Sequence, residues 1–186
     1  MCIRDRSDDG KLVISGTGSI ADDAFAGNTK ITSVVISEGV TGIGSGAFTG
    51  CTNLTSVTIP EGVTTIDGMT FGKCTSLTSV TIPGTVTSIE VQAFWNCSSL
   101  TSITIPASVT SIGSGVFQGC TSLTSVKLSE GLTRIGDQTF GRCNALETIE
   151  IPASLTSIGN DAFKNCAKLR SCLLYTSPSP RDPKTS

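Results

Sequence analysis

Residues 51–66 read CTNLTSVTIPEGVTTI. Leu54, Val57 and Ile59 are apolar, and Ser56 and Thr58 between them are polar. Alternation of this kind, carried by β-branched residues, predicts a short strand with one buried and one solvated face. Pro60 ends that strand because it has no N–H to give to a ladder. The alternation resumes more briefly from Val63 to Ile66 and predicts a second short strand. The string then returns, as CTSLTSVTIPGTVTSI over 74–89 and as CSSLTSITIPASVTSI over 97–112. One unit therefore holds two strands, and the unit recurs along the chain.

The period is 23 residues, and all seven Phe keep it: Phe25, Phe48, Phe71, Phe94, Phe117, Phe140 and Phe163. Six of the eight Cys share it (Cys51, Cys74, Cys97, Cys120, Cys143, Cys166), as do Pro60, Pro83, Pro106 and Pro152. A unit this short cannot bury its own apolar set. Neighbours must stack, Leu on Leu, Val on Val, Ile on Ile and Phe on Phe. The expected fold is a mostly β, right-handed repeat solenoid with a parallel sheet and a second row of short strands. Rungs of a parallel sheet sit about 4.8 Å apart, so about seven of them make a body roughly 34 Å long. Gly44, Gly113, Gly136 and Gly159 follow the second strand and read as turn residues with φ > 0. Asp67 and Glu90 hold the same phase and require another geometry there. The stretch around Phe48, ending at Cys51, is too short for a stable α-helix and predicts a helical or 3₁₀ turn.

Composition narrows the function. The chain has 186 residues, 38% of them hydrophobic, which suits one domain of ordinary size. A net charge of −2 gives no basic footprint, so no nucleic-acid partner is expected. No apolar run approaches the roughly 18 residues of a membrane-spanning helix. The chain contains no His, which removes His-based triads, His metal ligands and His acid–base work together. No catalytic, cofactor-binding or metal-binding constellation is visible, so neither an enzyme nor a cofactor is expected.

The recurring side chains supply the candidates. The Cys column fits no metal-ligand spacing and contains no CxxC. Stacked Cβ vectors run parallel rather than converging, which disfavours disulfides. A buried column of small apolar thiols is the expected state. Outward strand positions form two ladders, Ser33, Ser56, Ser79, Ser102, Ser125, Thr148 and Val35, Thr58, Thr81, Thr104, Lys127, Glu150. The second ladder marks Thr58, Thr81, Thr104, Lys127 and Glu150 as ligand-contact candidates on a broad sheet face. An ordinary solvated face is the plain alternative. Trp95 is the single Trp, and its phase-mates Ala26, Thr49, Gly72, Gln118, Gly141 and Lys164 are small or polar. That phase is expected to face solvent, making Trp95 a further contact anchor, or an indole lying over neighbouring loops.

The strings CTNLTSVTIPEGVTTI, CTSLTSVTIPGTVTSI and CSSLTSITIPASVTSIGSGVF resemble the BspA-type leucine-rich repeat. The resemblance runs from about Lys11 to Arg170 and rests on L, V/I, I, P, V, I, F and C recurring together at fixed offsets. It implies a solenoid with a curved parallel sheet, placement at the cell surface or outside the cell, and adhesion to host or matrix proteins such as fibronectin or fibrinogen. The expected function is a non-catalytic interaction or adhesion module. A structural spacer displaying another domain is the alternative. Ice or glycan binding by the polar ladders is a weaker one, because Lys127 and Glu150 interrupt the Thr grid.

The ends break the composition. ATGTGTATAAGAGAC can encode residues 1–5, and its reverse complement, read in another frame with one T before it, encodes Cys172 to Thr176, so one inverted repeat can encode both ends. Both ends resemble translated sequencing-adapter sequence. The expected organisation is a disordered, non-native leader over 1–10, the solenoid over 11–171, and a largely disordered non-native tail over 172–186. On that reading the natural part is a fragment of a longer protein. Cys172 and Leu174 nonetheless share the inward phases of Ile149 and Ile151 and are able to extend the sheet.

Overall fold

The two alternating segments of each unit are strands, and each lies beside its own copy one repeat away. A computed structural model describes residues 2–6 and 9–174. In the front row Lys11–Ser15, Ser33–Ile36, Ser56–Thr58 and Ser79–Thr81 pair in parallel, setting Val34 beside Val57 and Val57 beside Val80. Ser102–Ile105 with Ser125–Leu128, and Thr148–Ile151 with Ser171–Leu174, continue the row as two separate parallel pairs. The second row runs unbroken through five strands, from Thr65–Ile66 to Ser157–Ile158, with Ile on Ile at every step. Gly18–Ile20 and Val40–Ile43 form a further pair of that row. The fold is the parallel β-solenoid that the period predicts.

The third side corrects the expectation of a helical turn. The described residues contain no helix. Around Phe48 every second N–H leaves its own rung: Gly46, Phe48 and Gly50 donate to the carbonyls of Gly68, Thr70 and Gly72 at 2.9, 2.9 and 2.8 Å. The N–H groups between them close local turns, from Thr49 to Gly46 at 2.8 Å and from Cys51 to Phe48 at 3.1 Å. Two left-handed residues per rung produce this alternation, Gly46 and Gly50 at φ 64° and 70°, then Met69 and Lys73 at 55° and 58°. A helix would turn all of these N–H groups onto their own rung. The alternating turn satisfies the backbone and ties rung to rung as well.

The phase of Gly44 needs glycine for a different reason from the one expected. Gly44, Gly113, Gly136 and Gly159 are not left-handed. A Cβ on Gly44 would lie 2.6 Å from the Asp22 nitrogen, and one on Gly136 would lie 2.6 Å from the Gly113 carbonyl carbon. These glycines let one rung's backbone pass close to the previous one.

Inside, the Leu, Val, Ile, Phe and Cys columns form one continuous core. The seven Phe rings stack with centroids 5.2–5.6 Å apart and planes within 14° of parallel. Each burial of this kind is worth about 1.5–3 kcal/mol. The thiols are free, buried from Cys51 to Cys143 and half-buried at Cys166. Each Sγ donates to a Phe carbonyl of the preceding rung, as Cys97 does to Phe71 at 3.1 Å. At the corners Thr hydroxyls donate to the rung before, Thr55 to Thr32 at 2.9 Å and Thr133 to Thr110 at 2.9 Å. The same carbonyls accept the backbone N–H of Thr55 and Thr133 at 2.8 and 2.9 Å, so each hydroxyl adds a second bond between rungs.

At the ends, Cys2–Arg6 pairs antiparallel with Lys11–Ser15, where the composition predicts a disordered leader. The first front strand leaves an edge of unpaired backbone groups, and this segment takes it. Ser171–Leu174 lies beside Thr148–Ile151 with Cys172 opposite Ile149 and Leu174 opposite Ile151, the register their phase predicts. The disorder expected beyond Ser177 falls outside the described residues. No helix among the described residues is long and apolar enough to cross a membrane.

Candidate functional site

The front row carries its apolar residues inward and leaves the other face to water. Val57, Ile103, Val126 and Ile149 are buried, and Thr58, Thr104, Lys127 and Glu150 between or beside them are exposed. Thr81 is exposed in the same phase. Strand register sets Thr58 beside Thr81 and Thr104 beside Lys127. The five outward candidates therefore lie in one line across five successive rungs.

The line is not uniform, and the period alone does not reveal why. The front ladder lapses between Ser79–Thr81 and Ser102–Ile105, and again between Ser125–Leu128 and Thr148–Ile151. A shallow depression of about 320 Å³ lies at the first lapse, between Thr81 and Thr104. Val80 is half-buried there, while its phase-mates Val57 and Val126 are buried. A second depression of about 300 Å³ lies at the other lapse, lined by Lys127, Glu130 and Glu150. Among the described residues Lys127 and Glu150 form no ion pair; the one salt bridge joins Lys164 to Asp161 at 2.9 Å, both exposed.

Trp95 sits elsewhere, on the third side. It is half-buried, and the Lys73 ammonium lies 5.0 Å from its ring centroid. A cation over the ring is attracted by the negative face of the π system. The structure thus groups Thr58, Thr81, Thr104, Lys127 and Glu150 on one face and sets Trp95 apart from them. Lys73 escapes a reading that follows single phases, because it contacts Trp95 across two neighbouring phases and two rungs.

Among the described residues the titratable groups with resolved shifts are the column thiols and one carboxylate. Burial pushes the Cys51 thiol up to about 11 from 9.0. Burial raises Cys74, Cys97, Cys120 and Cys143 further, with smaller additions from neighbouring thiols. Such thiols are poor nucleophiles and poor ligands, since the thiolate is the reactive form. Asp67 is raised above its ordinary range by burial first, then by the charges of Glu90 and Asp22. It lies near the carboxylates of Glu90 and Asp22. No group of three or more His, Cys, Asp or Glu among the described residues is placed to hold a metal ion.

A model of the BspA type leucine rich repeat region matches the chain in six copies, over residues 18–143 and 87–178. No curated protein sequence matches it. Among crystal structures, a leucine-rich repeat protein of T. pallidum is 30% identical with a TM-score of 0.80, covering 88% of this chain and 79% of that one. A leucine-rich cell surface protein of Faecalibacterium prausnitzii is 34% identical with a TM-score of 0.81, covering 90% of this chain and 48% of that one. A leucine-rich repeat protein of Bacteroides ovatus shares the fold at 24% identity and a TM-score of 0.62, covering 93% of this chain and 69% of that one.

Proposed function

The chain belongs to the BspA-type leucine-rich repeat family, and on that premise we propose that it is a non-catalytic interaction module whose front sheet face binds a protein partner outside the cell. The observation that carries this reading is the line of exposed Thr58, Thr81, Thr104, Lys127 and Glu150, one on each of five successive rungs of the front row. Such a face offers many similar polar contacts at once. Each is weak, and together they bind because the frame is already ordered and loses little freedom on association. The two depressions along the line give a partner's side chains places to seat, and Lys127 and Glu150 give it charges to match. Placement outside the cell is supported by the surface protein of Faecalibacterium prausnitzii that the chain resembles. Host or matrix proteins are the partners that fit this placement.

The test is binding of the purified chain to an immobilised panel of matrix proteins, fibronectin and fibrinogen included. Saturable binding is expected, and it weakens about tenfold in Lys127→Glu and in the double variant Thr81→Asp/Thr104→Asp. Binding that ignores both variants would move the site off this face. No binding across the panel would leave the solenoid as a spacer that displays other domains.

A further inference from the structure

We propose that two buried residues, Ile103 and Ile149, shape the front face by holding it open at the two lapses of its ladder. Behind the front strands one inward column reads Val34, Val57, Val80, Ile103, Val126, Ile149. Ile follows Val at two steps of this column, from Val80 to Ile103 and from Val126 to Ile149. Those two steps are the lapses. The five other steps between neighbouring front strands among the described residues are paired, Ile103 to Val126 included.

The first lapse isolates the cause. Residues 56–60, 79–83 and 102–106 read SVTIP, SVTIP and SITIP. The first two pair along Ser56, Val57 and Thr58, and the second and third do not pair. The outward Ser and Thr are the same at both steps, and so are the second inward Ile and the Pro after it. One methylene, the difference between Val80 and Ile103, separates a closed step from an open one. Cores are packed closely enough for a single methylene to be felt, and an added one displaces the backbone around it. The order of the two residues gives the direction. Where Val126 follows Ile103 the ladder is intact, so the added methylene presses on the rung before it and not on the rung after.

The other sides of the same rungs stay closed. In the second row Ile89 lies beside Ile112 and Ile135 beside Ile158. The rings behind the two lapses, Phe94 with Phe117 and Phe140 with Phe163, have centroids 5.6 and 5.5 Å apart. At the paired steps Phe71 with Phe94 and Phe117 with Phe140 both give 5.5 Å. The opening is confined to the front, and the second row and the rings act as its spine. Val80 and Ile103 both line the depression of about 320 Å³ at the first lapse. At the second lapse the corner is open as well. Thr55, Thr78, Thr101 and Thr124 each give their N–H to the carbonyl 23 residues earlier, whereas Glu147 at the same phase makes no such bond among the described residues. That the depressions seat a partner rests on the binding role of the front face; the opening itself does not.

Amide hydrogen exchange of the full chain without a partner, followed by NMR, tests the opening. Loss of a buried methylene ordinarily loosens a core and speeds exchange around it. Ile103→Val is expected to do the reverse: exchange at 79–82 and 102–105 slows about tenfold, while 125–128 and 148–151 keep their rates. Ile149→Val is expected to slow the second pair of strands and leave the first. Ile112→Val removes the same methylene from the unbroken second row of the same rung and is expected to slow neither. Val57→Ile creates a third step at which Ile follows Val, and exchange at 33–36 and 56–58 is expected to quicken about tenfold. Val and Ile both occur at the phase of the three front-row variants, and circular dichroism checks that each is folded. Unchanged or faster exchange at the first lapse in Ile103→Val overturns the proposal. So does a front row that stays closed in Val57→Ile.

Discussion

Two glycine phases separate what a residue type shows from what its neighbour enforces. Gly46 is left-handed at φ 64°, and a Cβ there would meet the movable carboxylate tip of Asp23. Gly136 is not left-handed, but its Cβ would meet the Gly113 carbonyl carbon and the Ser114 nitrogen, both at 2.6 Å. A side chain tip swings aside, whereas backbone locked in a rung does not. Gly46→Ala is therefore expected to cost about 1 kcal/mol, the penalty of the left-handed region. Gly136→Ala is expected to cost about 3 kcal/mol, as overpacking does. Urea denaturation measures both, and equal losses would contradict the close-approach reading. The recurrence of glycine after the second strand is plain in the sequence, but the reason for it is not, because the decisive atoms belong to a rung 23 residues earlier. The left-handed positions are harder still to read. Gly, Asn and Asp at Gly46, Gly50, Asn96 and Asp23 signal them, whereas Met69, Lys73 and Arg142 at the same phases hide the signal. Bulky residues rarely take positive φ, and here the rung-to-rung hydrogen bonds hold them in it.

The columns and strands differ in how far local pattern determines them. Both strand rows follow from alternation within a few residues, and the chain places them where that pattern lies. The third side has no such pattern, since its hydrogen bonds alternate between the rung itself and the next one. The Cys column lies between these cases: its period is visible in the sequence, and its consequence is electrostatic. Unfolded thiols release their protons near 9.0, while Cys51 in the fold holds its proton to about 11 and the deeper thiols hold theirs longer. The fold therefore binds more protons than the unfolded chain above pH 9.0, and stability falls as pH rises through that window. Each thiol contributes a slope of up to about 1.4 kcal/mol per pH unit. Chemical denaturation is expected to give a stability nearly flat between about pH 6 and 8 and dropping steeply above about pH 9. Cys97→Ala/Cys120→Ala makes that drop shallower, at some loss of stability at neutral pH. An unchanged alkaline slope in the double variant would show that other groups set it.

A solenoid is stabilised by each rung's contact with the next, so the whole molecule behaves as a line of coupled units rather than as a single cooperative globule. Its middle and its ends then differ for a reason unrelated to the sequence of any one repeat. Phe94 is fully buried between Phe71 and Phe117, while Phe163 has a ring on one side only and is half-buried. Ile158, the last Ile of the second row, is 46% exposed, and Leu155 is half-buried. Phe94→Ala is expected to cost about 3–5 kcal/mol, and Phe163→Ala less than half of that. Hydrogen exchange resolves the same gradient without mutation. The slowest amides are expected in the second row at Ile89 and Ile112, where the strands run unbroken, and the fastest among 155–170. The front row adds a sharper test within a single rung. Ile103 faces the lapse beside Ser79–Thr81, and Ile112 of the same rung sits in a continuous ladder. If the lapse is open to water, the Ile103 amide exchanges well before that of Ile112, although both side chains are buried. Equal protection at the two positions would mean that the front row closes in solution, and the depression between Thr81 and Thr104 would then lose its place in the binding face.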